Sequence, residues 1–388
     1  MEQILKFPKG FLWGSATSAY QVEGGIENCD WSKVYPAGRA CDHYNLYEQD
    51  FDLLKRLNQN AYRFSIEWSR IEPEEGKFNQ EEIEHYKKFL SALKSREIKT
   101  IVTLHHFTSP SWLVKIGGWE NPKVIFYFSR FAERLLNEYH DLVDFWVTIN
   151  EPLVYSSVVY LEGRWPPIKK SFISFLKVIR NQILAHKTVY QLFHKLVKNI
   201  EIGNVENYCF FEPFNKNSIL DKFSAKAARY LWNNFYLNRI KNYLDFIGLN
   251  YYRHQKIKFP LQKIEDQIFV SDINWEIYPK GIYHVLLELK KYNLPIFVTE
   301  NGLADAKDKY RENFIKDHLF YIHKAMEEGI DVRGYFHWSL MDNFEWDSGF
   351  DPRFGLIEID YKTLERKIRP SAILYSEISK NNSLILNT

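Results

Sequence analysis

The feature that most constrains this chain is an alternation of short apolar runs with longer amphipathic segments along nearly its whole length. Eight runs rich in β-branched and aromatic residues recur, and a segment with helical periodicity fills nearly every gap between them. The runs lie at 11–16, 60–66, 99–105, 144–150, 201–210, 245–251, 295–300 and 331–338. Strands that alternate with helices pair in parallel through right-handed crossovers, and eight such units predict a closed barrel.

The segments between the strands complete this pattern. Their apolar residues recur three and four positions apart, while Lys and Glu occupy the other faces. We expect helices at 46–57, 81–96, 124–139, 175–197, 225–243, 280–292, 311–328 and 370–379. No linker interrupts the pattern, so residues 1–388 are predicted to form a single-domain (β/α)8 barrel, the TIM barrel of the α/β class. An open doubly wound sheet would need an early Gly-rich phosphate turn, which this sequence lacks.

Charge and composition exclude several classes of function. Lys and Arg number 51 and Asp and Glu 49, and the two signs are interleaved, so no nucleic-acid partner is expected. No apolar stretch has the length of a transmembrane segment and no signal-peptide pattern is present, which predicts a cytoplasmic protein and leaves association with a membrane surface open. The sequence does not indicate an oligomeric state.

The ends of the predicted strands carry polar residues, and the active site of such a barrel lies at the carboxyl ends of its strands. The segments DFWVTINEP (144–152) and PIFVTENG (295–302) place Glu151 and Glu300 directly after buried apolar runs. Carboxyl groups in that setting are candidates for perturbed pKa values and paired acid–base work. The structural alternative is that both glutamates end their strands and pair with lysines.

Aromatic residues accompany these carboxyl groups. The segment HWSLMDNFEW (337–346) holds Trp338, Glu345 and Trp346, and further tryptophans lie in other predicted loops at 112, 119 and 165. Flat apolar faces beside polar groups are typical of sugar sites. His105 and His106 are neighbours on a strand and point to opposite faces, so we expect no metal site and one hydrogen-bonding histidine.

An ordered set of motifs resembles glycoside hydrolase family 1, the retaining β-glycosidases, from residue 7 to residue 372. The motifs are FPKGFLWGSATSAYQVEGG (7–25), CDHYNLYEQDFDLLKRLNQNAYRFSIEWSRIEP (41–73), TLHHFTSPSWL (103–113), TINEP (148–152), DFIGLNYY (245–252), VTENG (298–302) and YFHWSLMDNFEWDSGFDPRFGL (335–356). The segment TLHHFTSP resembles short archaeal members. The resemblance implies a retaining, exo-acting hydrolase of O-linked β-glucosides or β-galactosides that needs no cofactor and transglycosylates when an alcohol replaces water.

The resemblance also implies roles for single residues. Glu151 matches the acid/base and Glu300 the nucleophile. The residues that match binders of the sugar hydroxyls are Gln21, His106, Asn150, Glu345 and Trp346, with Trp338 beneath the sugar. The residues that match the surroundings of the nucleophile are Arg63, Asn250 and Tyr252, with Phe354 as a wall of the pocket. We expect carboxyl groups about 5 Å apart, with Glu300 held ionised by Arg63 and the pKa of Glu151 raised.

Two alternatives stay open at this point. A 6-phospho-β-glycosidase would resemble relatives with Ser in place of Glu345 and a nearby Lys and Tyr, whereas this chain has Glu345, Pro352 and Phe354. A catalytically silent glycan-binding barrel is the other, and the presence of Glu151 and Glu300 argues against it. The chain is also shorter than most members of the family, around 212–221 and 253–272, so its aglycone preference is not implied and a more open cleft is expected.

Overall fold

Eight parallel strands form a closed barrel in the computed structural model, which describes residues 2–264 and 269–387. The strands are β1 (Leu12–Ala16), β2 (Ala61–Ser65), β3 (Lys99–His105), β4 (Phe145–Asn150), β5 (Ile202–Pro213), β6 (Phe246–Lys258), β7 (Ile296–Asn301) and β8 (Val332–Trp338). Parallel ladders join each strand to the next and β8 to β1. The predicted (β/α)8 barrel is therefore confirmed.

Eight helices alternate with these strands and pack around the barrel. They are α1 (His43–Arg56), α2 (Gln80–Ser95), α3 (Val124–Tyr139), α4 (Phe172–Leu196), α5 (Ile219–Arg229), α6 (Lys280–Leu289), α7 (Arg311–Glu327) and α8 (Pro370–Asn381). Shorter α-helical segments lie in the connections at Ala19–Val22, Trp68–Ile71, Ser111–Lys115, Pro152–Ser157 and Leu237–Ile240. Within residues 2–264 and 269–387, no helix combines the length and the apolar character needed to span a bilayer.

The interior of the barrel explains why each strand appears in the sequence as a continuous apolar run. Each strand contributes at least one residue to a buried inner cluster, namely Ala16, Ala61, Ile101, Val147, Val205, Phe246, Phe297 and Phe336. Residues that alternate with these, such as Val102 and Leu249, belong to a second buried layer that includes residues of the helices. Strands covered on both faces carry apolar residues at nearly every position, because neither face meets water.

The structure differs from the prediction mainly on one side of the barrel. β5 and β6 continue to Pro213 and Lys258 because they pair with each other beyond the barrel, and β6 then folds back onto Gln262–Ile264. Of the two connections expected to be short, the one around 212–221 is strand only as far as Pro213. The one around 253–272 is strand at 253–258 and 262–264, and its residues 265–268 lie outside the described residues. A π-helical turn at Tyr230–Asn234 interrupts the helix predicted over 225–243.

Two small antiparallel pairings were not predicted from the sequence. Glu2–Lys6 pairs with Ser383–Asn387, which joins the two ends of the described chain. Ile357–Ile359 pairs with Arg366–Ile368 after the loop that follows β8. Both pairings join segments too short to show a clear alternating pattern of their own.

A buried ionic cluster holds the loop that follows β8. Asp342 accepts hydrogen bonds from Nη1 and Nη2 of Arg369, both at 2.9 Å, and from Nη1 of Arg353 at 3.2 Å. It also accepts one from the backbone N–H of Gly355 at 2.9 Å. The carboxylate is fully buried, and these four hydrogen bonds, with a longer fifth from the backbone N–H of Ile359 at 3.4 Å, replace the water that it loses on folding. The same loop carries Glu345, and the cluster thereby fixes one edge of the barrel mouth.

We expect Asp342→Ala to lower the free energy of unfolding by about 3–5 kcal/mol, because it leaves the buried Arg369 cation without its partner. The matched control is Asp331→Ala, which removes an exposed carboxylate paired with Arg333 and should cost less than about 1 kcal/mol. Urea unfolding of the two variants measures both values. Equal losses would show that the cluster does not stabilise the loop.

Candidate active site

Glu151 lies where the chain passes from β4 into a short helix. Its backbone is left-handed, with φ at 44°, and Pro152 begins the helix. Oε1 of Glu151 accepts hydrogen bonds from Nδ2 of Asn250 at 2.8 Å and from Nδ2 of Asn207 at 2.9 Å. Burial and, next in size, the charge of Glu300 raise the pKa of Glu151 to about 7. A carboxyl group with this pKa can both donate and accept a proton near neutral pH.

Glu300 lies at the carboxyl end of β7 in a different environment. Its Oε1 accepts a hydrogen bond from the Arg63 guanidinium of β2, and its Oε2 accepts one from the Tyr252 hydroxyl at 2.8 Å. Glu300 and Arg63 are both buried. A cation and a hydroxyl that donate to one carboxyl group suit its anionic form, because each hydrogen bond is stronger when the acceptor is charged.

A network of hydrogen bonds links the two carboxyl groups through two asparagines. Nη2 of Arg63 donates to Oδ1 of Asn150 at 2.6 Å, and Nδ2 of Asn150 lies 3.2 Å from Nε2 of His106. Asn250 is opposite Glu300 in the β6–β7 ladder, and its Oδ1 accepts from the Thr299 hydroxyl at 2.8 Å. Asn250 donates its amide to Glu151, so residues of β2, β4, β6 and β7 form one connected site.

His106 has one nitrogen available for a ligand. Burial, with a smaller effect from the Arg63 charge, lowers the pKa of His106 well below its usual range, so the imidazole is neutral. Nε2 faces the Asn150 amide and acts as acceptor, which leaves the proton on Nδ1. Among the described residues, the buried Nδ1 has no hydrogen-bond partner. The His105 side chain is engaged outside the site, because its Nε2 accepts a hydrogen bond from the Trp119 indole N–H at 3.0 Å. The two histidines therefore do not form a chelating pair.

Aromatic rings form apolar surfaces of the site. The His106 ring is 6.0 Å from the rings of Trp338 and Trp346, and the planes are inclined by only 22° and 18°. Trp338 belongs to the inner cluster of the barrel together with Phe354. Trp346 packs on Trp165, 5.9 Å away. The structure thus brings the predicted sugar platform and the pocket wall into contact with the residues at the strand ends.

Gln21 and Glu345 lie at the edge of the site formed by the loop after β8. Nε2 of Gln21 lies within hydrogen-bonding distance of Glu345 Oε2 at 3.2 Å, Asn343 Oδ1 at 3.0 Å and the Phe344 carbonyl at 2.9 Å. The amide of Gln21 is therefore engaged by protein groups and positions Glu345. Burial and then the charge of Glu300 raise the pKa of Glu345 to about 8. The charge of Glu300 thus contributes to the raised pKa values of both Glu151 and Glu345.

Three contributors to the site were not identified from the sequence. Asn207 faces the barrel interior because it lies two residues after Val205 on β5 and so shares its face, and counting in steps of two would have found it. Thr299 orients Asn250, and its position before Glu300 in β7 was the available signal. The Trp275 ring packs 5.5 Å from the Tyr252 ring. It is a tryptophan in a polar loop, the same signal that singled out Trp338 and Trp346 in the sequence.

The three loop tryptophans at 112, 119 and 165 have other roles. Trp119 is buried against His105, as described above, and Trp112 donates its indole N–H to the Glu72 carbonyl at 2.8 Å. Trp165 supports Trp346 from behind and donates its indole N–H to Asp347 at 2.8 Å. These rings pack the connections around the mouth of the barrel and position the residues in front of them.

A (β/α)8 barrel with two buried carboxyl groups and tryptophan rings at the carboxyl ends of its strands is an arrangement typical of glycoside hydrolases. A family model described as Glycosyl hydrolase family 1 matches residues 3–241 and 236–384. The chain belongs to glycosyl hydrolase family 1. The predicted membership of that family and the prediction of a β-glycosidase are confirmed.

Relatives of known structure and sequence match the whole chain. A β-glycosidase from Pyrococcus horikoshii, an archaeon, is 38% identical with a TM-score of 0.94, covering 98% of this chain and 96% of that one. Beta-glucosidase A of Thermotoga maritima is 33% identical, covering 98% of this chain and 99% of the relative. A β-glucosidase from Thermotoga maritima in complex with glucoimidazole has a TM-score of 0.92 at 32% identity, covering 97% of this chain and 99% of that chain.

We expect Glu300→Gln to lower the pKa of Glu151, because the charge of Glu300 contributes to raising it. The change in pKa is measured by following the NMR signal of the Glu151 carboxyl carbon as a function of pH. The control is Glu377→Gln, which replaces an exposed carboxyl group of α8. Glu377 lies in the helical layer outside the barrel, so its replacement should leave the titration unchanged. An unaltered Glu151 titration in Glu300→Gln would contradict the electrostatic coupling.

Proposed function

We propose that the chain is a retaining, exo-acting β-glycosidase in which Glu300 is the nucleophile and Glu151 the acid/base. The observation that carries the proposal is the contrast between two buried carboxyl groups in one network. Arg63 and Tyr252 both donate to Glu300, while burial and the charge of Glu300 raise the pKa of Glu151 to about 7. Two carboxyl groups in opposed protonation states are what double displacement at an anomeric carbon requires.

In the first step Glu300 attacks the anomeric carbon while Glu151 gives its proton to the leaving oxygen. The glycosidic C–O bond breaks as the C–O bond to Glu300 forms, and the aglycone leaves as a neutral alcohol. Tyr252 and Arg63 hold the attacking carboxylate in position through their hydrogen bonds. Asn207 and Asn250 hold the carboxyl group of Glu151 in the same way.

In the second step Glu151 acts as a base. Esterification removes the charge of Glu300, so one cause of the raised Glu151 pKa disappears and the carboxylate formed in the first step stays ionised. Glu151 takes a proton from water as the water oxygen attacks the anomeric carbon and displaces Glu300. The two inversions restore the original anomeric configuration, and an alcohol in place of water gives transglycosylation.

The remaining site residues would hold the sugar. Nδ1 of His106 is a donor for a sugar hydroxyl, and Glu345 is an acceptor or donor at the edge of the site. Trp338 and Trp346 offer their ring faces to the pyranose. Such groups suit an uncharged β-glucoside or β-galactoside. The acid, the nucleophile and the supporting cation are all side chains of this chain, so the proposed steps involve no metal and no organic cofactor.

A 6-phospho-β-glycosidase is supported less well by these contacts. The raised pKa of Glu345, about 8, makes its repulsion of a phosphate near neutral pH weaker than the sequence suggests. Pro352 and Phe354 nevertheless offer no side-chain donor for a phosphate. Arg353 donates instead to Asp342 at 3.2 Å and to the Ile359 carbonyl at 2.9 Å. A silent glycan-binding barrel would not need the opposed environments of the two glutamates.

We also propose a cytoplasmic location and a single-domain organisation for residues 1–388. The thiols of Cys29, Cys41 and Cys209 are free and buried, which is typical of proteins in a reducing compartment. The parallel ladders that close the barrel run from β1 to β8 and so connect residues along the length of the chain.

We expect p-nitrophenyl β-glucoside or β-galactoside to be hydrolysed, and Glu300→Gln to lower kcat on the order of 10⁴-fold because it removes the nucleophile. The rates are measured from the release of p-nitrophenol on a panel of substrates that also contains the mannoside, the fucoside and glucoside 6-phosphate. Glu377→Gln, in an exposed position of α8, serves as the control with near wild-type rates. Faster turnover of the phosphorylated substrate would favour the phosphoglycosidase, and no turnover of any substrate would favour the silent barrel.

For Glu151→Ala we expect a loss of about 10²- to 10⁴-fold in kcat/KM on alkyl β-glucosides and a much smaller one on aryl glucosides with good leaving groups. Departure of a weakly basic phenolate needs little help from an acid, whereas an alkoxide needs a proton. The ratio of the two losses, measured by initial rates, tests the assignment. Equal losses on both substrates would be incompatible with Glu151 as the acid.

A further inference from the structure

Helix α5 has two apolar faces, although a surface helix of a globular protein usually has one. The inner face packs Ala225 and Ala228 on Cys209, Phe211 and Ile257 of the extended β5–β6 ladder. The outer face exposes large apolar side chains along α5 and the π-helical turn that continues it. Phe223 lies four positions after Ile219 and three after Leu220, and Tyr230 and Leu231 follow at the start of the π-helical turn. The barrel does not need this second face, so its apolar character requires another explanation.

The ends of β5 and β6 enlarge this surface. Asp221 in the first turn of α5 accepts hydrogen bonds from the backbone N–H of Asn215 at 3.1 Å and of Phe259 at 3.0 Å. These bonds hold the two strand ends beside the start of the helix. We call the resulting surface the apolar rim; its residues are Phe214, Ile219, Leu220, Phe223, Phe259 and Leu261, each between 45% and 81% exposed. Contiguous apolar surfaces of this kind mark interaction sites.

Basic residues surround the apolar rim. Residues 214–231 contain four Lys or Arg and a single acidic residue, Asp221, which is buried, whereas the whole chain has a net charge of only +2. Lys222 and Lys226 are exposed on α5 itself, and Nζ of Lys258 lies 5.9 Å above the Phe214 ring. An apolar stripe flanked by cations is the pattern of helices that lie in the interface of an anionic bilayer.

We infer that the apolar rim docks on the surface of an anionic lipid bilayer. Ile219, Leu220 and Phe223 would enter the boundary between headgroups and acyl chains, and the flanking lysines would contact lipid phosphates. A second copy of this chain fits the surface less well, because a twofold axis would bring the lysines of one rim against those of the other.

The position of the apolar rim relates docking to the active site. β5 runs from Asn207, which donates to Glu151, to Pro213 beside Phe214, a distance of about 20 Å at the rise of an extended strand. β6 likewise runs from Tyr252 to the turn at Phe259. Both strands leave the barrel at the end that holds the carboxyl pair, so a docked molecule has its active site close to the lipid headgroups.

The test is co-sedimentation of the full chain with phosphatidylcholine vesicles that contain or lack phosphatidylglycerol. We expect binding to the anionic vesicles that weakens with salt. Leu220→Ser should weaken it about tenfold through lost apolar burial. Lys222→Gln/Lys226→Gln should weaken it by a similar factor on anionic vesicles only.

Matched controls lie at the opposite end of the barrel, where α4 ends. Leu196→Ser removes an aliphatic side chain of similar exposure, and Lys195→Gln/Lys198→Gln removes two exposed lysines. Both should bind vesicles as the wild type does. Hydrolysis of p-nitrophenyl β-glucoside in the absence of lipid, equal for all five proteins, shows that the variants are folded and separates this test from that of the catalytic mechanism.

Three outcomes would overturn the inference. The wild type could fail to bind anionic vesicles, or the control variants could lose binding as strongly as the rim variants. In the third outcome, the wild type does not bind vesicles but sediments as a dimer, and Leu220→Ser dissociates that dimer. This result would assign the apolar rim to self-association.

Discussion

The contact between the Arg63 guanidinium and the Glu300 carboxylate is the interaction on which the site depends. It places a single negative charge, held by a fixed cation, in the buried mouth of the barrel. Burial and, next in size, that charge raise the pKa values of both Glu151 and Glu345. The proton affinity of both groups therefore depends on this ion pair as well as on burial, and the neighbouring asparagines connect the ion pair to Glu151.

Closure of the barrel is what allows residues far apart in the sequence to share this charge. β2, β4, β6 and β7 bring Arg63, Glu151, Asn250 and Glu300 to the same end of one sheet. The register between β6 and β7 sets Asn250 opposite Glu300, so that its amide reaches Glu151. A one-residue slip would point Asn250 to the helices and break the link between the two carboxyl groups.

Local patterns in the sequence predict the barrel, its strands and the residues at the strand ends, because strands buried on both faces show as continuous apolar runs. They do not predict the extension of β5 and β6, where polar residues such as Arg253 and Lys256 occur and pairing between distant segments decides the structure. The same limit applies to the site. Glu151 and Glu300 follow obvious apolar runs. Sequence rules could have indicated Asn207 and Trp275 as candidates, but only the folded chain shows that they contact Glu151 and Tyr252.

The coupling of Glu151 and Glu345 to one charge has a consequence for ligand binding. In the empty site near neutral pH, much of the population holds protons on both groups, with pKa values of about 7 and 8. A ligand that brings its own positive charge, such as a basic nitrogen in a sugar ring, favours the ionised form of both groups. Such a ligand would expel protons as it binds, so its affinity would rise with pH while the ring nitrogen remains charged.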